Sequence, residues 1–376
     1  GDVYQSANAE WEKNPASTYM ERIYGYECPE FNRLFTVQRD GPAAVPGSFS
    51  DAEGAMRNCD IPVLLVDGWT EMFFGGMEYM WYDLPQKTRE RSAFVLGPWG
   101  HGPLMSDYWK YPMPSGLAML PGDVAWFRYL RGGKAPDFPI GKLTYYHIGR
   151  DTWEACDSFP VGHGERTLFL AENGLTETAP EPSSWTYTYD PRDPASFPGG
   201  PNTFSHSPTG FAPQPDPDFR PDVRSFLTRP LDADISLAGK VRAELTVSTD
   251  APATMFLCRL CVVTPDGATT IMQDGPLVLD ETVPGEKRRI VCETGPLCWQ
   301  LHAGECLRLD VTSSDKHSYR VHTNTRGDWW EQTDVRVAHN TVYFGAEESR
   351  LILPTETAAD AARISVVRAP EHKNEK

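Results

Sequence analysis

The chain reads Ile61-Pro-Val-Leu-Leu-Val-Asp-Gly-Trp-Thr-Glu71 and, further on, Ser92-Ala-Phe-Val-Leu-Gly-Pro-Trp-Gly-His-Gly102. Each stretch begins with a nearly continuous apolar run, which is typical of a strand buried on both faces of a parallel sheet. Each then turns through glycine and tryptophan to reach a polar side chain, Glu71 in the first and His101 in the second. Because parallel strands end at the same edge of a sheet, we expect these two side chains to lie side by side.

A carboxylate beside a histidine has the form of the acid and general base of a hydrolase triad. The acid would hold the tautomer of the imidazole and stabilise its protonated form. Two plainer interpretations stay open: Glu71 could be an exposed residue at a helix start, where the dipole favours it, and His101 a loop residue without a role. Asp67 is the competing carboxylate, but it lies closer to the body of the strand.

The sequence contains no convincing nucleophile to complete such a triad. Gly-x-Ser-x-Gly does not occur anywhere in the 376 residues. Gly1 has neither a hydroxyl nor a thiol, and Ser115 follows no predicted strand. On its own, the chain therefore has no convincing nucleophile.

The composition favours a globular, loop-rich β architecture and excludes some partners. Glycine and proline number 31 and 33, and both residues punctuate turns. The formal net charge of −17 argues against a nucleic-acid partner, which needs clustered Lys and Arg. No run of 18 apolar residues occurs, so the sequence predicts no membrane span.

The cysteines predict a core role and no metal site. Cys258 and Cys261 form a CxxC within the apolar segment Met255–Val263, which predicts a strand. Positions three apart on a strand point to opposite faces, and no second CxxC or histidine pair is near. We predict no metal and no cofactor. Reduced thiols favour the cytoplasm, while localisation is otherwise left open.

The chain divides into four predicted regions: 1–60, 61–135, 136–355 and 356–376. The first is too poor in periodic apolar residues to form a core alone. The second alternates strand and helix patterns, including a predicted helix over Asp123–Gly133. The third has strand-length segments, such as Val241–Val247, that alternate apolar and polar residues and predict a β-sandwich. The fourth is a polar extension.

Several motifs together resemble the X-Pro dipeptidyl-peptidase and cocaine-esterase family of serine hydrolases. Gly68-Trp-Thr-Glu71 is similar to the Gly-Trp-x-Asp of that family, and Gly97-Pro-Trp-Gly-His101 to its Gly-Pro-Trp-x-His. The helix Trp126-Phe-Arg-Tyr-Leu-Arg-Gly132 and the β segments Val263-Thr-Pro-Asp-Gly267 and His322-Thr-Asn-Thr-Arg-Gly327 are also similar. The resemblance covers the C-terminal two-thirds of the family's length. It implies the C-terminal part of an α/β-hydrolase sheet with the tail of a helical cap, followed by a jelly-roll β-sandwich.

The resemblance also assigns roles to particular residues. It implies His101 as general base and Glu71, where the family has Asp, as the residue that orients it. Phe73 resembles a residue of the acyl pocket, with packing on a helix face as the alternative. Trp99 is the second candidate for substrate binding, with packing beside the turn as its alternative.

We therefore expect the C-terminal subunit or fragment of a serine acyl hydrolase acting on a small-molecule ester or amide. Its expected partner is an N-terminal hydrolase chain that carries the serine, the oxyanion hole and the first strands, and a higher oligomer is left open. Two alternatives remain: a non-catalytic relative that acts as a binding module, and an acyltransferase or cyclising enzyme that uses the same triad.

Overall fold

A five-stranded sheet contains the apolar runs that precede Glu71 and His101 in the sequence. The computed structural model describes residues 18, 21, 25–27, 29, 56–71, 74–100, 119–136, 138–159, 162–200, 210–327, 332–357 and 365–367. With strands labelled in chain order, the sheet contains Leu64–Gly68 (β1), Ala93–Gly97 (β2), Leu143–His147 (β3), Thr152–Cys156 (β4) and Ser365–Val367 (β16). β1, β2 and β3 are parallel, whereas β4 and β16 extend the sheet with antiparallel pairing.

Three helices accompany this sheet: Phe74–Asp83 (α1), Gln86–Arg89 (α2) and Met119–Leu130 (α3). Trp81 of α1 is fully buried and packs on Phe94 of β2, with ring centroids 6.0 Å apart. The helix predicted from Asp123 begins four residues earlier, because Pro121 is tolerated within a first helical turn. The helix ends at Leu130, and Gly132 follows it at φ +82°, a conformation that favours glycine. Within the part of the chain that the structure describes, every helix is too short or too polar to cross a membrane.

Two antiparallel sheets form a β-sandwich in the C-terminal part of the chain. One contains Gly164–Ala171 (β5), Gly174–Thr176 (β6), Ser183–Tyr189 (β7), Ile235–Thr249 (β9), Arg288–Leu301 (β12), Ala338–Phe344 (β14) and Arg350–Thr355 (β15). The other contains Arg224–Leu227 (β8), Thr254–Val263 (β10), Thr269–Leu279 (β11) and Cys306–Thr312 (β13). Their inner faces meet in an apolar core, where Phe226 packs edge-on against Phe344 at 5.4 Å. The predicted β-rich sandwich is confirmed, while a jelly-roll strand order stays a prediction.

The CxxC cysteines lie in the core of this sandwich. Cys258 and Cys261 are both fully buried in β10, and both are free thiols. Burial raises the pKa of the Cys261 thiol above its usual range. The interpretation of these residues as core side chains is therefore confirmed.

The parallel sheet and the sandwich are continuous across the predicted limit at residue 136. β3 lies beyond that limit but pairs in parallel with β2, and Ile148, just after it, bridges to Trp299 of β12. β16 lies in the predicted polar extension and pairs with β4. Sheet pairing thus crosses both predicted limits, and the division into domains itself stays a prediction.

Candidate active site

Parallel pairing places the two predicted turns at one edge of the sheet. β1 and β2 are in register from Leu64 opposite Ala93 to Gly68 opposite Gly97. The strands therefore end level with each other, and the turns that follow them leave the sheet at the same edge. The two turns lie together, as the strand pattern predicts.

The turn that carries Glu71 is held by hydrogen bonds to the end of β2. The backbone N–H of Trp69 donates to the carbonyl oxygen of Gly97 at 3.0 Å, and that of Thr70 donates to the carbonyl of Trp99 at 3.3 Å. Glu71 follows directly and is half-buried. The position of its backbone is thus fixed relative to the turn that leads toward His101.

Two glycines allow the turns to approach this closely. A Cβ placed on Gly68 would lie 1.9 Å from the carbonyl oxygen of Trp99. A Cβ on Gly97 would lie 2.1 Å from the ring of the same tryptophan. Any side chain at either position would therefore push the turns apart, which explains the glycine that ends each strand.

The two tryptophans of these turns are packed into the core. Trp69 and Trp99 are each 2% exposed. The Trp69 indole N–H donates to the carbonyl of Tyr146 at 2.8 Å, and its ring meets Phe159 edge-on. Trp99 packs on Trp153 with centroids 6.1 Å apart. These contacts support the packing interpretation of Trp99, and its contact with substrate stays a prediction.

The predicted general base, His101, and the predicted pocket residue Phe73 lie outside the described residues. The structure describes the first turn as far as Glu71 and the turn that leads to His101 as far as Gly100. The pairing of Glu71 with His101 therefore stays a prediction, supported by the positions of the two turns.

Asp67, the competing carboxylate, is buried near the end of β1, just before the turn that carries Glu71. It is 4% exposed, and its Oδ1 accepts the backbone N–H of Gly68 at 2.8 Å. Its Oδ2 has no hydrogen-bond partner in the described part of the chain. Burial raises the pKa of this carboxyl, the hydrogen bond from Gly68 opposes the rise, and the nearby charge of Glu71 adds to it, which together bring the pKa to about 7. Asp67 thus differs from an ordinary ionised carboxylate at neutral pH.

A cleft of about 430 Å³ lies between the turn that carries Glu71 and the β-sandwich. Glu71 and Phe74 line one wall, and Asp274 and Tyr319 line the other. Gln273 also lines it and reaches across, since its side-chain amide donates to the carbonyl oxygen of Trp69. Sequence reasoning missed Gln273; the available signal was the polar pair Gln273-Asp274 in the middle of a strand-length segment.

A family profile described as the X-Pro dipeptidyl-peptidase C-terminal non-catalytic domain matches residues 140–352, which are more than half of the chain. The chain belongs to this family. The family domain includes β3, β4 and nearly all of the β-sandwich. Glu71 precedes it in the chain, whereas Gln273 lies within it.

Individual relatives extend the similarity beyond the family domain. The cocaine esterase of Rhodococcus sp. (strain MB1 Bresler) is 26% identical over an alignment of 326 residues, which covers 78% of this chain and 56% of the esterase. This chain thus spans about half the length of that curated relative. The resemblance recognised from the sequence motifs is confirmed.

Solved structures share the fold at low sequence identity. An α-amino acid ester hydrolase labelled with selenomethionine aligns with a TM-score of 0.72 at 16% identity, covering 94% of this chain and 64% of its own. An aminopeptidase from the marine sediment archaeon Thaumarchaeota archaeon aligns with a TM-score of 0.63 at 19% identity, covering 79% of this chain and 55% of its own. At these identities the alignments show a common fold.

A buried group of potential metal ligands lies where β3 meets the β-sandwich. The ligand atoms of His147, Cys298 and Glu356 lie within 4.8 Å of one another, the single such group in the described part of the chain. Arg150 donates to Glu356 at 2.8 Å, and the His147 Nε2 lies 3.0 Å from the hydroxyl of Ser236. A cation would have to displace this guanidinium and these hydrogen bonds, so the contacts favour an ion-pair cluster that joins β3 to the sandwich.

Proposed function

We propose that this chain provides the acid and the general base of a serine acyl hydrolase, with the serine supplied by an N-terminal polypeptide beyond these 376 residues. The substrate would be a small ester or amide. One observation carries the proposal. The Glu71 turn and the turn leading to His101 leave adjacent parallel strands at one edge and are joined there by hydrogen bonds. Membership of a family whose relatives include esterases gives this geometry its chemical context.

The roles of the two residues follow from the chemistry of acyl transfer. His101 would accept the proton of the serine hydroxyl as the oxygen attacks the acyl carbon, and would return it to the leaving alcohol or amine. Glu71 would stabilise the imidazolium formed between these steps. Water would then repeat the sequence on the acyl-enzyme, with His101 again accepting and returning one proton.

Two features support a further polypeptide against this sheet. β1 pairs with β2 along one edge, and no strand among the described residues pairs with its other edge. Val124, Phe127 and Leu130 recur every three residues along one side of α3, and they are 47%, 63% and 42% exposed. A parallel sheet is normally covered on both faces, and its strands normally have a partner on each side. We therefore propose that the N-terminal polypeptide adds strands beside β1 and packs on α3. These elements would complete an α/β-hydrolase domain.

The description "non-catalytic" for the family domain does not conflict with this proposal. The matched residues begin at 140, whereas the acid, the base and the two strands that position them precede that point. The proposal assigns the chemistry to the 61–101 segment and assigns a supporting role to the sandwich.

The test begins with native purification of the protein and a search for an associated chain, or an N-terminal extension, that carries Gly-x-Ser-x-Gly. A fluorophosphonate probe should label that serine, and His101→Ala should abolish the labelling. Glu71→Gln should lower kcat/KM by about 10³- to 10⁴-fold, since it replaces the acid of the dyad by a neutral amide. Glu90→Gln, an exposed carboxylate at the end of α2, provides the matched control and should leave the rate unchanged. A natively purified protein that binds no probe and hydrolyses no ester or amide would contradict the proposal.

A further inference from the structure

Gln273 connects the β-sandwich to the turn that carries Glu71. It lies in β11, is 4% exposed, and belongs to the family domain. One amide group serves two acceptors from different parts of the fold: the Nε2 donates to the carbonyl of Trp69 in the turn, and to the carbonyl of Pro296 in β12 at 3.1 Å. Both N–H bonds of the amide are thus used.

Two irregularities in the sandwich strands converge on this amide. The register of β11 against β10 shifts between Leu260 and Cys261, directly opposite Gln273. The pairing of β12 with β9 shifts between Glu293 and Pro296. Bulges of this kind redirect a side chain away from regular pairing, and here they place the amide at the sheet–sandwich boundary.

A glycine provides the room for the side chain. A Cβ on Gly295 would lie 2.7 Å from the Gln273 Oε1 and 3.2 Å from its Nε2. The bulge in β12 therefore contains the residue that leaves this space open and is followed by the carbonyl, of Pro296, that accepts one of the hydrogen bonds.

Within the Glu71 turn, the backbone carbonyl of Trp69 accepts the hydrogen bond from the sandwich. The backbone N–H groups of Trp69 and Thr70 already donate to carbonyls at and just after the end of β2, and the Trp69 indole N–H donates to a backbone carbonyl within β3. Gln273 supplies the contact from the opposite side. The turn is then fixed between the parallel sheet and the sandwich, two residues before Glu71.

We propose that Gln273 is a positioning residue for Glu71, through which the β-sandwich sets the geometry of the acid–base pair. This inference rests on the proposed function for its catalytic consequence. Its structural part, that the amide restrains the turn, stands on the contacts alone.

The experiment compares Gln273→Leu with the wild type, in the natively assembled protein. Leucine keeps the approximate size of the side chain but removes both donors. Gln214→Leu is the control, because the Gln214 amide donates to the carbonyls of Pro198, Ala212 and Pro213 and its oxygen accepts from Arg259, while none of these hydrogen bonds reaches the turn. It therefore removes at least as many hydrogen bonds as Gln273→Leu does, but at a distance from the turn. Glu71→Gln shows the effect of losing the acid itself.

Two readouts that need no substrate separate the outcomes. Amide hydrogen exchange of residues 68–71 should become at least 10-fold faster in Gln273→Leu and stay unchanged in Gln214→Leu. The pKa of the His101 imidazole, followed by NMR and assigned with His101→Ala, should fall in Glu71→Gln and also fall, by a smaller amount, in Gln273→Leu. Where a substrate is known, kcat should drop by about 10- to 100-fold with little change in KM, as expected for a misplaced catalytic group.

The pattern of results distinguishes the two failures. If Glu71→Gln shifts the His101 pKa but Gln273→Leu changes neither that pKa nor the exchange of the turn, the inference about Gln273 is wrong and the proposed function stands. If Glu71→Gln leaves the His101 pKa unchanged, the acid–base pair itself is wrong. Faster exchange in Gln273→Leu would then limit its role to holding the turn and would overturn the catalytic part of the inference.

Discussion

Replacing Asp67 by asparagine should remove a pH dependence from the stability of the chain. The carboxyl is buried near the end of β1. Its burial raises its pKa from the ordinary 3.8 to about 7, and the charge of Glu71 adds to this rise. Because its pKa is higher in the folded state, the folded chain binds this proton more tightly than the unfolded chain does. The contribution of Asp67 to stability is then fully present below about pH 4 and is lost as the pH rises to about 7.

The size of the effect follows from the same pKa. Each tenfold change in proton affinity corresponds to about 1.4 kcal/mol, so the rise from 3.8 to about 7 corresponds to about 4 kcal/mol as an upper limit. Asparagine has nearly the same shape and does not ionise. The free energy of unfolding of Asp67→Asn, relative to the wild type, should therefore increase by up to about 4 kcal/mol between pH 4 and pH 8.

Urea denaturation at a series of pH values measures this difference, and comparing the two proteins cancels the titration of the other groups. Carboxyl ¹³C NMR of labelled aspartate, assigned with the variant, gives the Asp67 pKa directly. A difference in unfolding free energy that is constant across this range, together with a titration near pH 4, would refute the reasoning from burial.

Three further changes test other parts of the fold. Gly68→Ala should destabilise the chain by about 3 kcal/mol and lower kcat, since the new methyl group would overlap the carbonyl of Trp99; thermal unfolding and ester hydrolysis report on the two effects. Arg259→Met should cost about 3 to 5 kcal/mol in urea denaturation, because it removes the cation that pairs with the buried carboxylates of Asp274 and Asp315. Burial raises the pKa of Asp274, so protonation of this carboxyl should make the loss smaller as the pH falls. Phe226→Ala should cost about 3 to 5 kcal/mol by leaving a cavity between the two sandwich sheets, and equal stability of variant and wild type in calorimetry would contradict the packing of Phe226 on Phe344.

The strands near the site could be predicted because their local pattern is strong. The apolar run Ile61–Val66 predicted β1, which the structure places slightly later, at Leu64–Gly68. The shift has a physical reason: Pro62 has no N–H for sheet pairing, while Asp67 and Gly68 continue the ladder opposite β2. The apolar pattern alone excluded Asp67 and so underestimated how deeply this carboxyl is buried.

Long-range pairing could not be predicted in the same way. Nothing local in the segment 142–148 distinguishes a strand that joins β2 from one that joins the sandwich. The parallel pairing of β3 with β2 depends on the crossover through α3. The role of Gln273 was equally hidden, since it depends on register shifts in two strands that are distant in sequence, one of which contains the glycine that leaves room for the amide. Such contacts appear only once the strands are placed.

The strand β3 also decides how separable the two parts of the chain are. It belongs by sequence to the family domain that is called non-catalytic, yet it pairs with β2, whose five residues are all buried. A cut at residue 140 would remove this neighbour and expose a fully apolar strand edge directly behind the turn that leads to His101. The contact of Gln273 with the carbonyl of Trp69 would be lost as well. The sandwich therefore cannot be regarded as an appendage of the proposed hydrolase site, because the sheet that presents Glu71 is completed and held by it.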